Sequence, residues 1–174
     1  MIVVEDKLAA LFSQIPEIKI NDNITKKLTF SWGNELEINR YIEKSKSQCY
    51  PLVWLLPTEE TYSNSKDLTE KKVSLVIAQL EDRKELYNGQ RWKGSYEHVL
   101  NPLTNYIIQA FSKSATTRIT DSDISIFKHP NYSKKNENVT IDRWDATRID
   151  ISIEFNNKFC INEIKWQNPL NENT

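Results

Sequence analysis

The sequence predicts an α+β fold in which one mixed or antiparallel sheet is covered by two principal helices, at residues 3–15 and 95–112. Two apolar stripes with helical spacing support this prediction, together with several short segments in which apolar and polar residues alternate. The chain of 174 residues has the length of one domain, and no linker or repeat divides it. We therefore expect a single domain over residues 1–174, with a polar tail at 167–174.

Both helices are predicted from one apolar face each. The first should end before Pro16, because the residue that precedes a proline avoids helical geometry. The second should begin at Ser95, a residue type that caps helix N-termini well, and its apolar stripe continues through Pro102 without losing phase. The residues that share the apolar face of the first helix are Val4, Leu8, Leu11, Phe12 and Ile15.

The strands differ in how apolar their two sides are. Residues 72–80 are apolar on both sides, which predicts a central strand covered on both faces. The clearest alternation is at 148–155, where Ile149, Ile151, Ile153 and Phe155 should face the core. Further elements are expected as strands at 18–20, 28–32, 51–57, 117–119 and 124–127, a short surface helix at 35–46, and a polar loop at 58–67.

Residues 81–94 carry dense charge, an Asn-Gly turn signal and two aromatic residues, which predicts a protruding loop or hairpin arm. One interpretation is a surface loop whose aromatics are incidental. The other is an arm that contacts a partner, since Tyr, Trp and Arg are enriched in protein–protein hot spots. A platform for single-stranded nucleic acid would use similar residues but carry more positive charge. The candidate partner-binding residues are Arg83, Lys84, Tyr87, Arg91 and Trp92.

Composition limits the classes of function. The chain has 23 basic and 24 acidic residues, so it lacks a broad electrostatic footprint for nucleic acid or an anionic membrane. No apolar run approaches the roughly 20 residues that cross a bilayer, and the first residues lack the pattern of a signal peptide. Cys49 and Cys160 are the only cysteines and lie far apart in sequence. A secreted, disulfide-stabilised domain would normally carry more, so we expect both thiols to be reduced. We expect no membrane partner, no specific nucleic-acid partner and synthesis in a cytoplasm.

Catalytic and metal-binding patterns are weak. The sequence has no Gly-x-Ser-x-Gly turn, and its two histidines, His98 and His129, have no partner recognisable from spacing. The cysteines and histidines are not spaced as zinc ligands. We therefore expect no enzyme activity, no cofactor and no bound metal.

One constellation defines an alternative. Asp145 and Glu163-Ile-Lys165 resemble the Asp…Glu-x-Lys arrangement of restriction-endonuclease-like nucleases. If 159–166 is a strand, Glu163 and Lys165 share a face. The two carboxylates would then hold Mg²⁺, and the lysine would stabilise or activate the attacking water. Because Glu-x-Lys is also common on solvated strand faces, a Mg²⁺-dependent nuclease stays the alternative interpretation.

The order of elements carries a family resemblance. An amphipathic helix is followed by Tyr-Pro-Leu-Val-Trp-Leu at 50–55, the apolar strand 73–80, a charged loop, a helix with Asn-Pro-Leu at 101–103, and Trp-Asp-Ala-Thr-Arg-Ile-Asp-Ile-Ser-Ile at 144–153. This resembles the tail-terminator and head–tail connector ("neck") proteins of tailed bacteriophages, particularly phages of Bacteroidetes hosts. The resemblance covers roughly residues 3–160, and none of its motifs is diagnostic by itself.

The resemblance implies a small α+β subunit that forms a ring, commonly a hexamer, at the junction of capsid and tail. Such rings stop the growth of the tail tube or join the tube to the portal. The implied partners are other copies of the chain and portal, connector or tail-tube proteins. The implied location is the virion, after synthesis in the host cytoplasm. A further alternative is an adaptor that binds another protein through the 81–94 arm.

Overall fold

The predicted α+β class is confirmed. The computed structural model describes residues 3–45, 48–63, 66–81, 88–130, 132, 144–157 and 164–166. Within these residues the strands form a mixed seven-stranded sheet and a separate two-stranded hairpin, and helices lie on both faces of the larger sheet.

The elements follow one another in an irregular alternation of helices and strands. The N-terminal half contains α1 (Val4–Phe12), β1 (Ile18–Asn21), β2 (Ile24–Lys26), β3 (Thr29–Trp32), α2 (Glu35–Ser45), β4 (Leu52–Leu56), β5 (Glu60–Ser63) and β6 (Leu68–Leu80). The C-terminal half contains α3 (Asn88–Arg91), a π-helix (Trp92–Leu100), α4 (Asn101–Lys113), β7 (Thr117–Ile119), β8 (Ser125–His129) and β9 (Trp144–Asn156).

Strand β6 is central, as its two apolar sides predict. The larger sheet has the order β3-β4-β6-β9-β7, with β5 also pairing with β6 and β8 also pairing with β9. Strands β3 and β4 are parallel, and the other pairs in this sheet are antiparallel. The longest pairing joins β6 and β9, from Leu68 opposite Asn156 to Leu80 opposite Trp144.

The sheet separates two cores because successive side chains of a strand point to opposite faces. One face of β6 packs under α1, the π-helix and α4, where the predicted inward residues of β9 also lie. The other face packs under α2. Residues of β6 in the larger core are Val73, Leu75 and Ile77, and those in the smaller core are Val76 and Ala78.

Helix α2 begins with a capping box. The Asn34 side-chain oxygen accepts the backbone N–H groups of Leu36 and Glu37, each at 3.0 Å, and the Glu37 carboxylate accepts the Asn34 N–H at 2.7 Å. The preceding Gly33 has φ +146°, and a Cβ there would lie 2.5 Å from the Glu37 carboxylate. A glycine at this position therefore allows both the backbone conformation and the close approach.

The predicted arm at 81–94 is wrong in its second half. Residues 88–94 are helical, so the second helical region begins at Asn88 rather than at Ser95. Trp92 stacks on Tyr96 one turn further along, and this i, i+4 contact favours helix over the turn that Asn88-Gly89 predicts. Residues 82–87 lie outside the described part of the chain.

Two other elements differ from prediction. The expected loop at 58–67 contains β5, whose exposed residues pair with an extension of β6 back to Leu68 and carry little apolar signal. In the expected strand at 159–166, residues 164–166 are not in a strand. Ile164 N–H donates to the Gln14 side chain at 3.1 Å, and the carbonyl of Lys165 accepts the Lys113 ammonium at 3.1 Å. Side chains thus hold this segment, and residues 158–163 and 167–174 lie outside the described ones.

Candidate functional site

The five predicted partner-binding residues fall mostly outside what the structure describes. Arg83, Lys84 and Tyr87 belong to the residues that it does not describe, and Arg91 is the last residue of α3. Trp92, the first residue of the π-helix, is the one whose side-chain surroundings are described.

Trp92 lies against an edge strand that is distant in sequence. Its side chain is 48% exposed and stacks on Tyr96, with ring centroids 5.6 Å apart. The Lys128 ammonium of β8 lies 3.9 Å from the centroid of the Trp92 ring, a cation–π contact. Burial lowers the pKa of Lys128. The helix and the edge strand are thus joined by an aromatic and basic contact.

Strand β8 exposes apolar side chains next to this contact. Ile126 and Phe127 are both more than two-fifths exposed, and the Phe127 ring stacks on His129 with centroids 6.5 Å apart. We call Trp92, Ile126, Phe127 and Lys128 together the β8 surface; Ile126 and Lys128 lie on one face of this sheet edge and Phe127 on the other. Large apolar, aromatic and basic groups at a sheet edge are typical of protein contact sites. Sequence reasoning missed the three β8 residues, because nothing local indicates that Lys128 approaches Trp92.

The structure describes two of the three residues of the nuclease constellation, Asp145 and Lys165. Asp145 is fully buried in β9, opposite Gln79 of β6. Glu163 lies outside the described residues, and Lys165 is not in a strand. Among the described residues, no group of three or more His, Cys, Asp or Glu side chains could hold a metal ion.

A cavity of about 820 Å³ lies between the β1–β2 hairpin, the end of β6 and the π-helix. Its volume is within the range of small-molecule sites, roughly 300–1,000 Å³. Gln79 of β6 and Glu81, which follows the end of β6, line it on one side, and Gly94 and Ser95 line it from the π-helix. π-helical turns are rare and often occur at functional sites. Sequence reasoning did not single out these residues.

Two buried acceptor groups belong to the cavity wall. Glu81 is 5% exposed, and its carboxylate accepts the Ser95 hydroxyl at 3.1 Å. Gln79 is 8% exposed, and its side-chain N–H donates to the carbonyl of Leu80 at 3.3 Å. In the described part of the chain, no donor reaches the Gln79 Oε1.

The exposed charges around the cavity are balanced. On the hairpin, the Lys19 ammonium is 2.9 Å from the Asp22 carboxylate and holds the pKa of Asp22 below its usual range. Lys26 and Glu97 line the rim with opposite charges. Among the charged residues that line the cavity, Glu81 is the buried one.

No family model matches the chain, and no curated protein sequence gives a significant match. No helix in the described residues is long and apolar enough to cross a membrane.

Proposed function

We propose that the protein is a self-assembling structural subunit of a tailed-phage virion, of the tail-terminator or head–tail connector type. In this proposal it forms a ring, commonly a hexamer, at the capsid–tail junction and docks onto portal, connector or tail-tube proteins. The resemblance in element order supplies the class of protein. The β8 surface is the observation that supports a function in binding another protein chain.

The composition of the β8 surface fits a subunit contact. Trp92 and Phe127 are each about half exposed, so an interface would remove a large apolar area from water. Lys128 adds a charge that is already partly desolvated by the aromatic rings, which lowers the further cost of burying it. A ring requires head-to-tail interfaces that close by rotation, and the β8 surface can supply one side of such an interface.

Native mass spectrometry of the full chain over a range of concentrations tests the proposal. The wild type should form one closed oligomer, and Trp92→Ala should weaken assembly by about 2 kcal/mol, or roughly thirtyfold, as expected for a hot spot. Trp32→Ala is the matched control, since Trp32 is 50% exposed and lies in β3 at the opposite edge of the sheet. Thermal melting followed by circular dichroism checks that each variant folds.

The alternatives give different outcomes. A wild-type chain that stays monomeric at high concentration, even with the adjoining virion components present, would contradict the ring. An adaptor would be monomeric by itself and would bind another protein in a way that Trp92→Ala disrupts. A nuclease would cleave plasmid DNA with Mg²⁺ and lose that activity in Lys165→Ala, but the full burial of Asp145 does not favour it.

A further inference from the structure

Strand β8 lies at an edge of the larger sheet. It pairs with β9 from Ser125 to His129, and no other strand of the described residues pairs with it. Residues 125–128 are all exposed. An edge strand presents a row of N–H and C=O groups that another strand can pair with. In the described part of the chain, the outer side of β8 is therefore available to a further strand.

Apolar side chains occupy the middle of this edge on both faces of the sheet. Ile126 lies opposite Ile149 of β9, on the face of the larger core, and it is 43% exposed. Phe127 lies on the other face and is 47% exposed. Charges, prolines and bulges usually protect such edges, and residues 125–127 contain neither a charge nor a proline. The middle of β8 therefore favours pairing with another strand.

The two ends of the edge carry opposite charges. Asp121 and Asp123 precede the strand and are exposed. Lys128 lies near its other end. On the neighbouring β9, Arg148 and Asp150 form an ion pair at 3.1 Å and compensate each other. The edge is thus acidic where β8 begins and basic where it ends.

This charge distribution is complementary to itself. When a second β8 pairs antiparallel with the first, the acidic start of each copy meets the basic end of the other. With Ile126 opposite Ile126 of the second copy, Asp123 lies opposite His129 and one residue from Lys128. A parallel pair would instead bring like charges together, which destabilises a sheet. Twofold symmetry makes each favourable contact occur twice.

We propose that β8 of one copy pairs antiparallel with β8 of a second copy, so that the sheet continues across a twofold axis. The proposal rests on the proposed function only in taking the β8 surface as a site that binds another chain. The dimer covers Ile126 and Phe127 in unassembled subunits and competes with the ring contact for the same surface. Ring assembly then begins with dissociation of the dimer, and until that point the edge is protected from pairing with other chains.

Charge-reversal variants test the direction of pairing. Sedimentation velocity of the full chain, at low ionic strength and without virion components, should show a dimer. Asp123→Lys and Lys128→Glu should each weaken it at least about tenfold, because each places like charges together at two positions. An equimolar mixture of the two variants should restore dimers, since one strand is then basic at both ends and the other acidic. Glu43→Lys is the matched control at an exposed position of α2 and should change the dissociation constant less than about twofold.

A cross-link tests the register without any charge reversal. Ile126→Cys in a Cys160→Ser background places two thiols opposite each other across the twofold axis. Directly opposite residues of antiparallel strands have Cα atoms about 4.5–5.5 Å apart, which a disulfide can span. Mild oxidation should therefore give a covalent dimer. Thr61→Cys in the same background, at an exposed position of β5, should give none.

This proposal and the ring proposal fail in different ways. A wild type that is not dimeric, a mixture of charge variants that stays dissociated, or equal cross-linking of the two cysteine variants would each overturn the β8 pairing. Rings that form where no β8-linked dimer exists would contradict the pairing alone. Dimers that persist without forming rings when virion components are added would contradict the ring alone and support the pairing.

Discussion

A buried charged side chain lies near the start of strand β6, and another lies just after its end. The surroundings of these two side chains differ. At the start of β6, the Lys71 ammonium is 3% exposed and forms ion pairs with Glu5 of α1, at 3.0 Å, and with Glu60 of β5. Just after its end, Glu81 is similarly buried but lines a cavity and accepts the Ser95 hydroxyl. Between them the same face carries the apolar Val73, Leu75 and Ile77, followed by the polar Gln79.

The two ends differ in what surrounds the buried polar groups. Two carboxylates from two elements surround Lys71, so its charge is compensated within the fold and joins α1 and β5 to the sheet. At the other end, the strand borders an open cavity, and the buried Gln79 Oε1 has no donor among the described residues. A buried polar group that the fold leaves unsatisfied destabilises the protein, and such sites often serve a ligand.

The largest expected effect is at the Lys71 end. The double variant Glu5→Gln, Glu60→Gln leaves a buried ammonium without compensating charge, so the free energy of unfolding should fall by about 3 kcal/mol. Urea denaturation measures this. Glu43→Gln combined with Glu70→Gln makes the same charge change at exposed positions and should cost less than about 1 kcal/mol. Equal losses in the two double variants would contradict a structural role for the Lys71 cluster.

A smaller effect is expected at the cavity end. Ser95→Ala removes the hydroxyl that donates to the Glu81 carboxylate, and the free energy of unfolding should fall by about 1 kcal/mol. Ser112→Ala is its control, because the exposed Ser112 hydroxyl donates only to a helix carbonyl and alanine is the better helix former. Thermal melts of the two variants provide the comparison, and a Ser95→Ala variant as stable as Ser112→Ala would argue against the hydrogen bond.

A change of opposite sign is expected for Gln79→Leu. It removes a buried oxygen that lacks a donor in the described residues and replaces it with apolar volume. We expect the free energy of unfolding to rise by up to about 1 kcal/mol. A clear loss of stability in urea denaturation would show that the amide of Gln79 is satisfied within the fold.

The smallest expected effect is on the stability of the fold at acidic pH. Burial alone would raise the pKa of Glu5, but hydrogen bonds from its own backbone N–H and from Lys71 outweigh this and lower the pKa below its ordinary value. A lowered folded-state pKa contributes stability above the unfolded pKa of about 4.3, and this stability is lost as the pH falls through the folded value. Between pH 5 and pH 3, wild type should therefore lose a few tenths of a kcal/mol more than Glu5→Gln. Urea midpoints at the two pH values measure the difference, and equal losses would contradict it.

Local pattern predicted the parts of the fold whose signal lies within a few residues. The alternation at 149–155 and the two-sided apolar run in β6 each reflect a regular repeat along one strand, and both predictions are confirmed. Strand β5 was not predicted, because its residues are mostly exposed and polar and it is defined only by its pairing with β6. The helix at 88–94 escaped because the stacking of Trp92 on Tyr96 outweighs a local turn signal.

Only the tertiary structure decided the two candidate sites. The sequence by itself determined the α+β class and the central strand, and it indicated Trp92 as a candidate contact residue. Three contacts join segments that are distant in sequence: Trp92 with Lys128, Lys71 with Glu5, and Glu81 with Ser95. These contacts depend on how the helices pack on the sheet, because packing and ion pairing act through space. The periodicity of a sequence shows only which side of its own helix or strand a residue faces.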